Sequence, residues 1–292
     1  MPVKRLIIID GNPVMYRAYH APGTRHLRTS KKQPSGGFFG FLRTFLALKK
    51  RLEKSHYLFC FDHGRSWRNE VSDEYKTHSE ASKPVGFSEQ LEDARHFLTL
   101  VGVPVAREPW LEADDLISVY ACQWTETPGH TAVIVSSDRD YFQLVSDSIM
   151  VYDDRAKKFY GPREVEQTLG VKLKYTLDYR CLVGDKADRL SGVLGFGPKR
   201  ASSLCHIAPA VLKGLDLQIY ERNKLLMQLP RSAYELHVPM SDRKRVHHDV
   251  LRQFQRFHLG CQTGLVQPAL AQALLDSYEC RSLDLYDFLS PL

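Results

Sequence analysis

No stretch of this chain is apolar for long enough to cross a bilayer, and Met1-Pro2-Val3-Lys4 runs straight into a strand-like segment instead of a secretory leader. A cytoplasmic protein with no membrane partner is expected. The six cysteines (60, 122, 181, 205, 261 and 280) never form a CxxC pair, and no Cys/His group has the spacing of zinc ligands. That disfavours both a disulfide scaffold and a structural zinc site, and indicates buried, reduced thiols. The adjacent His247 and His248 read as a surface feature. There is no internal repeat and no low-complexity tract, so neither a solenoid nor a disordered tail is expected.

What is present fits a globular protein. The 292 residues are 43% hydrophobic and 25% charged, enough to bury a large core with room for one ordinary domain and a smaller one. The net charge of +6 is modest but uneven. Between residues 28 and 54 stand Arg28, Lys31, Lys32, Arg43, Lys49, Lys50, Arg51 and Lys54, opposed only by Glu53. Such a stretch suits a polyanionic partner, or forms the solvated end of an amphipathic helix.

The acids are concentrated elsewhere. Leu6-Ile7-Ile8-Ile9 leads into Asp10, Tyr57-Leu58-Phe59-Cys60-Phe61 into Asp62, and Ala132-Val133-Ile134-Val135 into Ser136-Ser137-Asp138-Arg139-Asp140. Apolar runs of this kind read as buried parallel strands, whose carboxyl ends are where open α/β sheets place their ligands. Helices are expected over 37–52, after Pro34-Ser35-Gly36, over 88–100 with Ser88 as N-cap, and over 112–122. A short strand is expected at Val103-Pro104-Val105, and the polar insert from His63 to Ser88 as a functional loop or lid. Glu112, Asp114 and Asp115 in a first helical turn are explained equally well by the helix dipole, or by a shared site with the strand-end acids.

From about residue 165 the pattern turns helical. Tyr175 to Val183 reads as a helix, followed by Asp185 and Asp188, then Gly192, Gly195 and Gly197 ahead of Pro198, Lys199 and Arg200. This suggests a glycine-rich hairpin between two helices, with basic residues where the dipole disfavours them unless an anion is bound. Backbone contacts of that kind reach phosphates, not bases. Clustered carboxylates are the ligand set of hard cations such as Mg²⁺, and two ions can assist a phosphoryl displacement. Nine acids exceed the charge of two such ions, so a phosphodiester also needs side-chain cations; Arg65, Arg68 and Lys76 supply them.

These pieces, in this order over about residues 4–205, resemble the 5′-nuclease superfamily: flap endonucleases, phage 5′→3′ exonucleases and the nuclease domain of bacterial repair polymerases. They are Ile8-Ile9-Asp10-Gly11, Phe61-Asp62, Trp67-Arg68 to Tyr75-Lys76, Glu112-Ala113-Asp114-Asp115, Ser137-Asp138-Arg139-Asp140, Gly184-Asp185 with Asp188, and the Gly192 to Ala201 hairpin. The stretch from Tyr75-Lys76 to Lys83-Pro84-Val85-Gly86-Phe87 is most similar to stand-alone phage exonucleases.

The resemblance implies an α/β, PIN-like fold with a mostly parallel sheet between helices. The nuclease domain would span 1–165 with a helical arch at about 64–88, and 166–292 would be a helical DNA-binding region with a helix-hairpin-helix at about 175–205. It implies a first metal group of Asp10, Asp62, Glu112, Asp114 and Asp138, and a second of Asp115, Asp140, Asp185 and Asp188. Lys76 and Arg68 would engage the scissile phosphate and Tyr75 would stack on a terminal base. Gly192, Gly195, Gly197, Lys199 and Arg200 would grip DNA, with Ser35 and Gly36 also counted among the DNA contacts. Implied cofactors are two Mg²⁺, replaceable by Mn²⁺, and K⁺ at the hairpin.

The expected activity is cleavage of DNA as a 5′→3′ exonuclease or 5′-flap endonuclease in replication or repair, by a monomer in a bacterial or phage-infected cytoplasm. RNA–DNA hybrids are a further candidate substrate. The alternatives are a PIN-like endoribonuclease and a non-catalytic junction-binding paralogue. Two positions depart from the family pattern: Thr77-His78-Ser79 stands where relatives have a second arch arginine, and Asp188-Arg189-Leu190-Ser191 where they have Asp-Asn-Ile-Pro.

Overall fold

A computed structural model of the chain describes residues 4–52, 55–72, 75–76, 84–260, 267–278, 280 and 283–289. The elements run β1 (Arg5–Asp10), α1 (Gly11–His20), α2 (Gly36–Arg51), β2 (His56–Cys60), α3 (Arg68–Val71), α4 (Phe87–Leu100), β3 (Val105–Ala106), α5 (Ala113–Thr125), β4 (Thr131–Val135), β5 (Ile149–Asp153) and β6 (Lys158–Tyr160). There follow α6 (Pro162–Leu169), α7 (Thr176–Val183), β7 (Gly184–Asp185), β8 (Leu190–Ser191), α8 (Pro198–Leu204), α9 (Ala208–Val211), α10 (Gly214–Met227), α11 (Arg243–Gly260), α12 (Pro268–Ser277) and α13 (Leu285–Leu289).

The sheet order is β3-β2-β1-β4-β5-β6, parallel except for the antiparallel edge strand β6. Both faces are covered, which is why the central strands are apolar throughout: Leu6, Ile7, Ile8 and Ile9 have no exposed surface. Leu6 and Ile8 face a core with α5 and helices between residues 176 and 260, while Ile7 and Ile9 face one with α1, α2, α4 and the last helices α12 and α13. From β1 the chain adds strands in both directions, to β2 on one side and β4 on the other. The point of divergence lies at the carboxyl ends of these three strands, where such sheets open a crevice.

Three local features differ from the sequence expectation. A helix, α1, follows β1 directly, since Pro13 lies in its first turn, where the missing N–H costs nothing. Helix α4 is capped by Gly86 at φ +77°, not by Ser88, which lies inside it. The chain's last helices return to the first half of the protein. Tyr278 stacks on Phe38 at 4.3 Å between ring centres, and Phe288 meets Phe97 edge-on at 4.9 Å. A cut at residue 165 would therefore not separate two independent cores. Thr77-His78-Ser79 and Lys83 lie outside the described residues, as does much of the expected arch. Among the described residues no helix is long and apolar enough to cross a membrane.

Candidate active site

The strands β1, β2 and β4 each lead to an acid that lines one cavity, Asp10, Asp62 and Asp138. Asp10 ends β1 and accepts hydrogen bonds from Ser136 Oγ and Tyr141 OH, both at 3.2 Å. Asp62, two residues past β2, accepts from the Ala113 amide and Asn12 Nδ2, both at 2.8 Å. Glu112 is the N-cap of α5, and Asp115 reaches back to the Glu112 amide at 3.1 Å, so the helix start is a capping box. Asp10, Asp62, Glu112, Asp114 and Asp138 all line a cavity of about 780 Å³, together with Lys76. Asp140, Asp185 and Asp188 form a second group, with carboxylate oxygens within 4.8 Å of one another.

Packing like charges in a sheltered crevice perturbs them. Burial, then Asp62 and Asp138, push the Asp10 carboxyl up to about 7. Burial and Asp138 push Asp140 up to about 7 despite Arg180, and burial raises Asp188 to about 6. Asp62 and Asp114 are raised by burial as well. Glu112 runs the other way: although it is buried, Lys76 and Arg68 hold it at about 2. Asp114 Oδ1 is buried with no hydrogen-bond partner. Such an oxygen, beside raised carboxylates and an all-oxygen donor set, fits a hard divalent cation.

Three side-chain cations oppose the acids. Lys76 Nζ lies 2.8 Å from Glu112 and 3.9 Å from Asp188, and so joins the two groups. Arg180, which the sequence did not single out, bridges Asp140 and Asp185 at 2.5 Å each. Arg68 has no exposed surface. Its guanidinium forks onto both oxygens of Asp115 at 2.9 Å, and its Nε donates to the Leu226 carbonyl at 2.8 Å.

Several expectations change as a result. Arg68 is a buried counter-ion and not an open phosphate contact. Asp115 is 1% exposed and spends its oxygens on Arg68, Trp67 Nε1 and the Glu112 amide, so it stands apart from the acids that line the cavity. Tyr75 is 2% exposed, with its hydroxyl donating to Glu112 at 3.1 Å, so its ring is not open for stacking. Ser35 and Gly36 are buried too; a Cβ at Gly36 would sit 1.9 Å from the Thr24 carbonyl oxygen, so the glycine serves a close backbone approach.

Residues 5–170 match the family model of the 5′-3′ exonuclease, N-terminal resolvase-like domain. The chain belongs to this family. It is 32% identical over 203 residues to a 5′-3′ exonuclease of Aquifex aeolicus, covering 69% of each chain. It is 32% identical over 200 residues to DNA polymerase I of Deinococcus radiodurans, covering 68% of this chain but only 20% of the polymerase. Among solved structures, T5 5′-exonuclease with bound zinc ions superposes with a TM-score of 0.67 at 21% identity, over 86% of this chain and 100% of that one. Flap endonuclease-1 from Methanococcus jannaschii gives 0.56 at 18%, over 88% and 94%. These last two show the shared fold.

In this exonuclease the backbone around the acids is strained. Lys76 (φ +50°), Trp110 (φ +72°) and Arg189 (φ +59°) adopt left-handed conformations that non-glycine residues rarely hold. Arg189 occupies the position where the family pattern has asparagine, a residue that accepts this conformation more readily. The hairpin is tight: Gly184 holds φ +77°, and a Cβ on Gly192 would lie 2.3 Å from the Val183 carbonyl oxygen. Asn223 on α10, fully buried, donates to the Cys181 and Ser191 carbonyls at 2.9 and 2.8 Å and so clamps the hairpin to α7. Gly197 caps α8, Pro198 opens it, and Lys199 and Arg200 are exposed beyond. Asn223 acts on residues that only the fold brings near, and Arg180 joins a close neighbour, Asp185, to Asp140, 40 residues away.

Proposed function

We propose that this nuclease hydrolyses DNA phosphodiesters near the junction of a duplex and a 5′ single strand. The observation that carries the reading is the convergence of five strand-end and helix-cap acids in one cavity, joined by Lys76 to a second group of three. Asp10, Asp62, Glu112, Asp114 and Asp138 would hold one Mg²⁺, and Asp140, Asp185 and Asp188 another, with Mn²⁺ a substitute. When bound, such ions acidify a water nucleophile and neutralise charge on the leaving oxygen.

The chain's own groups do the rest. Lys76, a third exposed, offers its ammonium to the phosphate between the two acid groups. Arg180 pairs with Asp140 and Asp185, two of the acids that would hold the second ion, and offsets their charge. Arg68 fixes α5 from beneath and keeps Glu112 ionised. The hairpin from Gly184 to Gly197 would hold the duplex by its phosphates, with Lys199 and Arg200 at its rim and K⁺ as a candidate ion; this is sequence-neutral contact. The region after residue 165 thereby serves as the duplex-binding part. The test is product mapping on 5′-flap, nicked and blunt duplexes in Mg²⁺ or EDTA, with wild type and Lys76→Ala. Cleavage at the junction in Mg²⁺ but not in EDTA, lost in Lys76→Ala, is expected; binding without cleavage in Mg²⁺ or in added Mn²⁺ would overturn the reading.

A further inference from the structure

Beside the acids, the same cavity has a wall, here called its arm, built from residues that the proposed hydrolysis does not use. It includes His63, Phe87, Leu91, Glu92, Arg95 and Arg107. Two of these are guanidinium groups held in place by the protein. Arg95 is buried and lies over the Phe61 ring, 5.4 Å from its centre. Arg107 donates through Nε to the Asp62 carbonyl at 3.1 Å, which fixes it one residue's reach from the acids.

Their shared anion is Glu92, which pairs with Arg95 and lies 3.6 Å from Arg107. The Glu92 side chain is 59% exposed and that of Arg107 35% exposed, so the Glu92–Arg107 contact is solvated and readily exchanged. Leu91 and Phe87 add an apolar wall. A paired, pre-oriented guanidinium set beside an apolar wall is the chemistry of a nucleotide's phosphate and base.

We propose that this arm is a 5′-terminal phosphate pocket, in which the phosphate monoester at the end of a DNA strand replaces Glu92 on Arg107 and Arg95 while the bond one nucleotide further in is cut. The proposal rests on the nuclease reading above and adds a preference to it. A terminal monoester is a dianion, whereas a hydroxyl end brings no charge to the arginines. Strands ending in 5′-phosphate should therefore be trimmed faster than the same strands ending in 5′-hydroxyl, on the order of tenfold, the scale of one charge-assisted hydrogen bond.

The experiment is single-turnover cleavage of two nicked duplexes of identical sequence, one 5′-phosphorylated and one 5′-hydroxylated, beside a long 5′-flap substrate. Wild type should show the tenfold ratio, Arg107→Gln should bring it near one, and Glu92→Gln, which removes the competing anion, should raise it. A wild-type ratio of one overturns the proposal without any variant, as does a ratio unchanged in Arg107→Gln. Should Arg107→Gln be inactive because it also braces Asp62, an unchanged ratio in Glu92→Gln overturns it instead. Failure of wild type on all three substrates, the flap included, overturns the nuclease reading and this proposal with it.

Discussion

Arg68 offers the sharpest separation between a residue that touches substrate and one that builds the site. It is wholly buried, makes a bidentate pair with Asp115, and lies 3.7 and 3.4 Å from Glu112 and Asp114. Replacing it by methionine keeps the bulk but leaves Asp115 as an unpaired buried charge, a loss of about 3–5 kcal/mol. At about 2 °C per kcal/mol for a chain of this size, the Tm should fall by roughly 6–10 °C. Removing the stranded charge as well, in Arg68→Met with Asp115→Leu, should recover part of this. A deficit of about 1 kcal/mol or more would remain for each of the Trp67 and Glu112 N–H groups that lose their acceptor and for the Leu226 carbonyl that loses its donor. Thermal unfolding of the wild type and the two variants is the assay. If Arg68→Met unfolds at the wild-type temperature while its KM for DNA rises, Arg68 is a phosphate contact and the placement argued above is wrong.

Asp10 and Asp140, raised to about 7, and Asp188, raised to about 6, keep protons in the folded chain that the unfolded chain has already released. In EDTA, stability should therefore fall as pH climbs from about 4 to about 7, and Mg²⁺ should raise the Tm more at pH 8 than at pH 5; an equal gain at both would contradict the electrostatic picture. Asn223→Ala takes the side-chain donor from the buried Cys181 carbonyl and leaves the Ser191 carbonyl only Arg222 Nη2, and should cost about 1–3 kcal/mol and raise KM for duplex substrates more than it lowers kcat. A drop in kcat alone would remove the hairpin from duplex binding.

Where a residue's fate depends on its neighbours in sequence, the chain was readable. The runs 6–9, 57–61 and 132–135 are buried strands because nothing but a two-sided core tolerates them, and the acids that follow have only the sheet's end to occupy. The acids 112, 114 and 115 illustrate the limit. Sequence offered a dipole reading and a site reading, and both hold: Asp115 caps the helix while Glu112 and Asp114 line the cavity. Arg68 was misread because its partners, Asp115 and the Leu226 carbonyl, lie 47 and 158 residues away, and a basic residue in a polar insert carries no mark of burial. Arg180 was missed although one partner, Asp185, is five residues on, because the other, Asp140, is 40 residues distant and only the fold makes the bridge.

Asp138 gives the most direct test of the central claim. It is exposed in the cavity, where it accepts the Asp140 amide at 2.8 Å, and it forms no ion pair with any described residue. Asp138→Asn removes a like charge from beside Asp10 and Asp140 and should therefore leave the Tm unchanged or slightly raised. Single-turnover cleavage of a 5′-flap duplex in Mg²⁺ is the measurement. A rate lower by on the order of a hundredfold or more, the scale of one preorganised group in a sheltered site, is the predicted result; a folded Asp138→Asn protein that cuts the flap at the wild-type rate would contradict it.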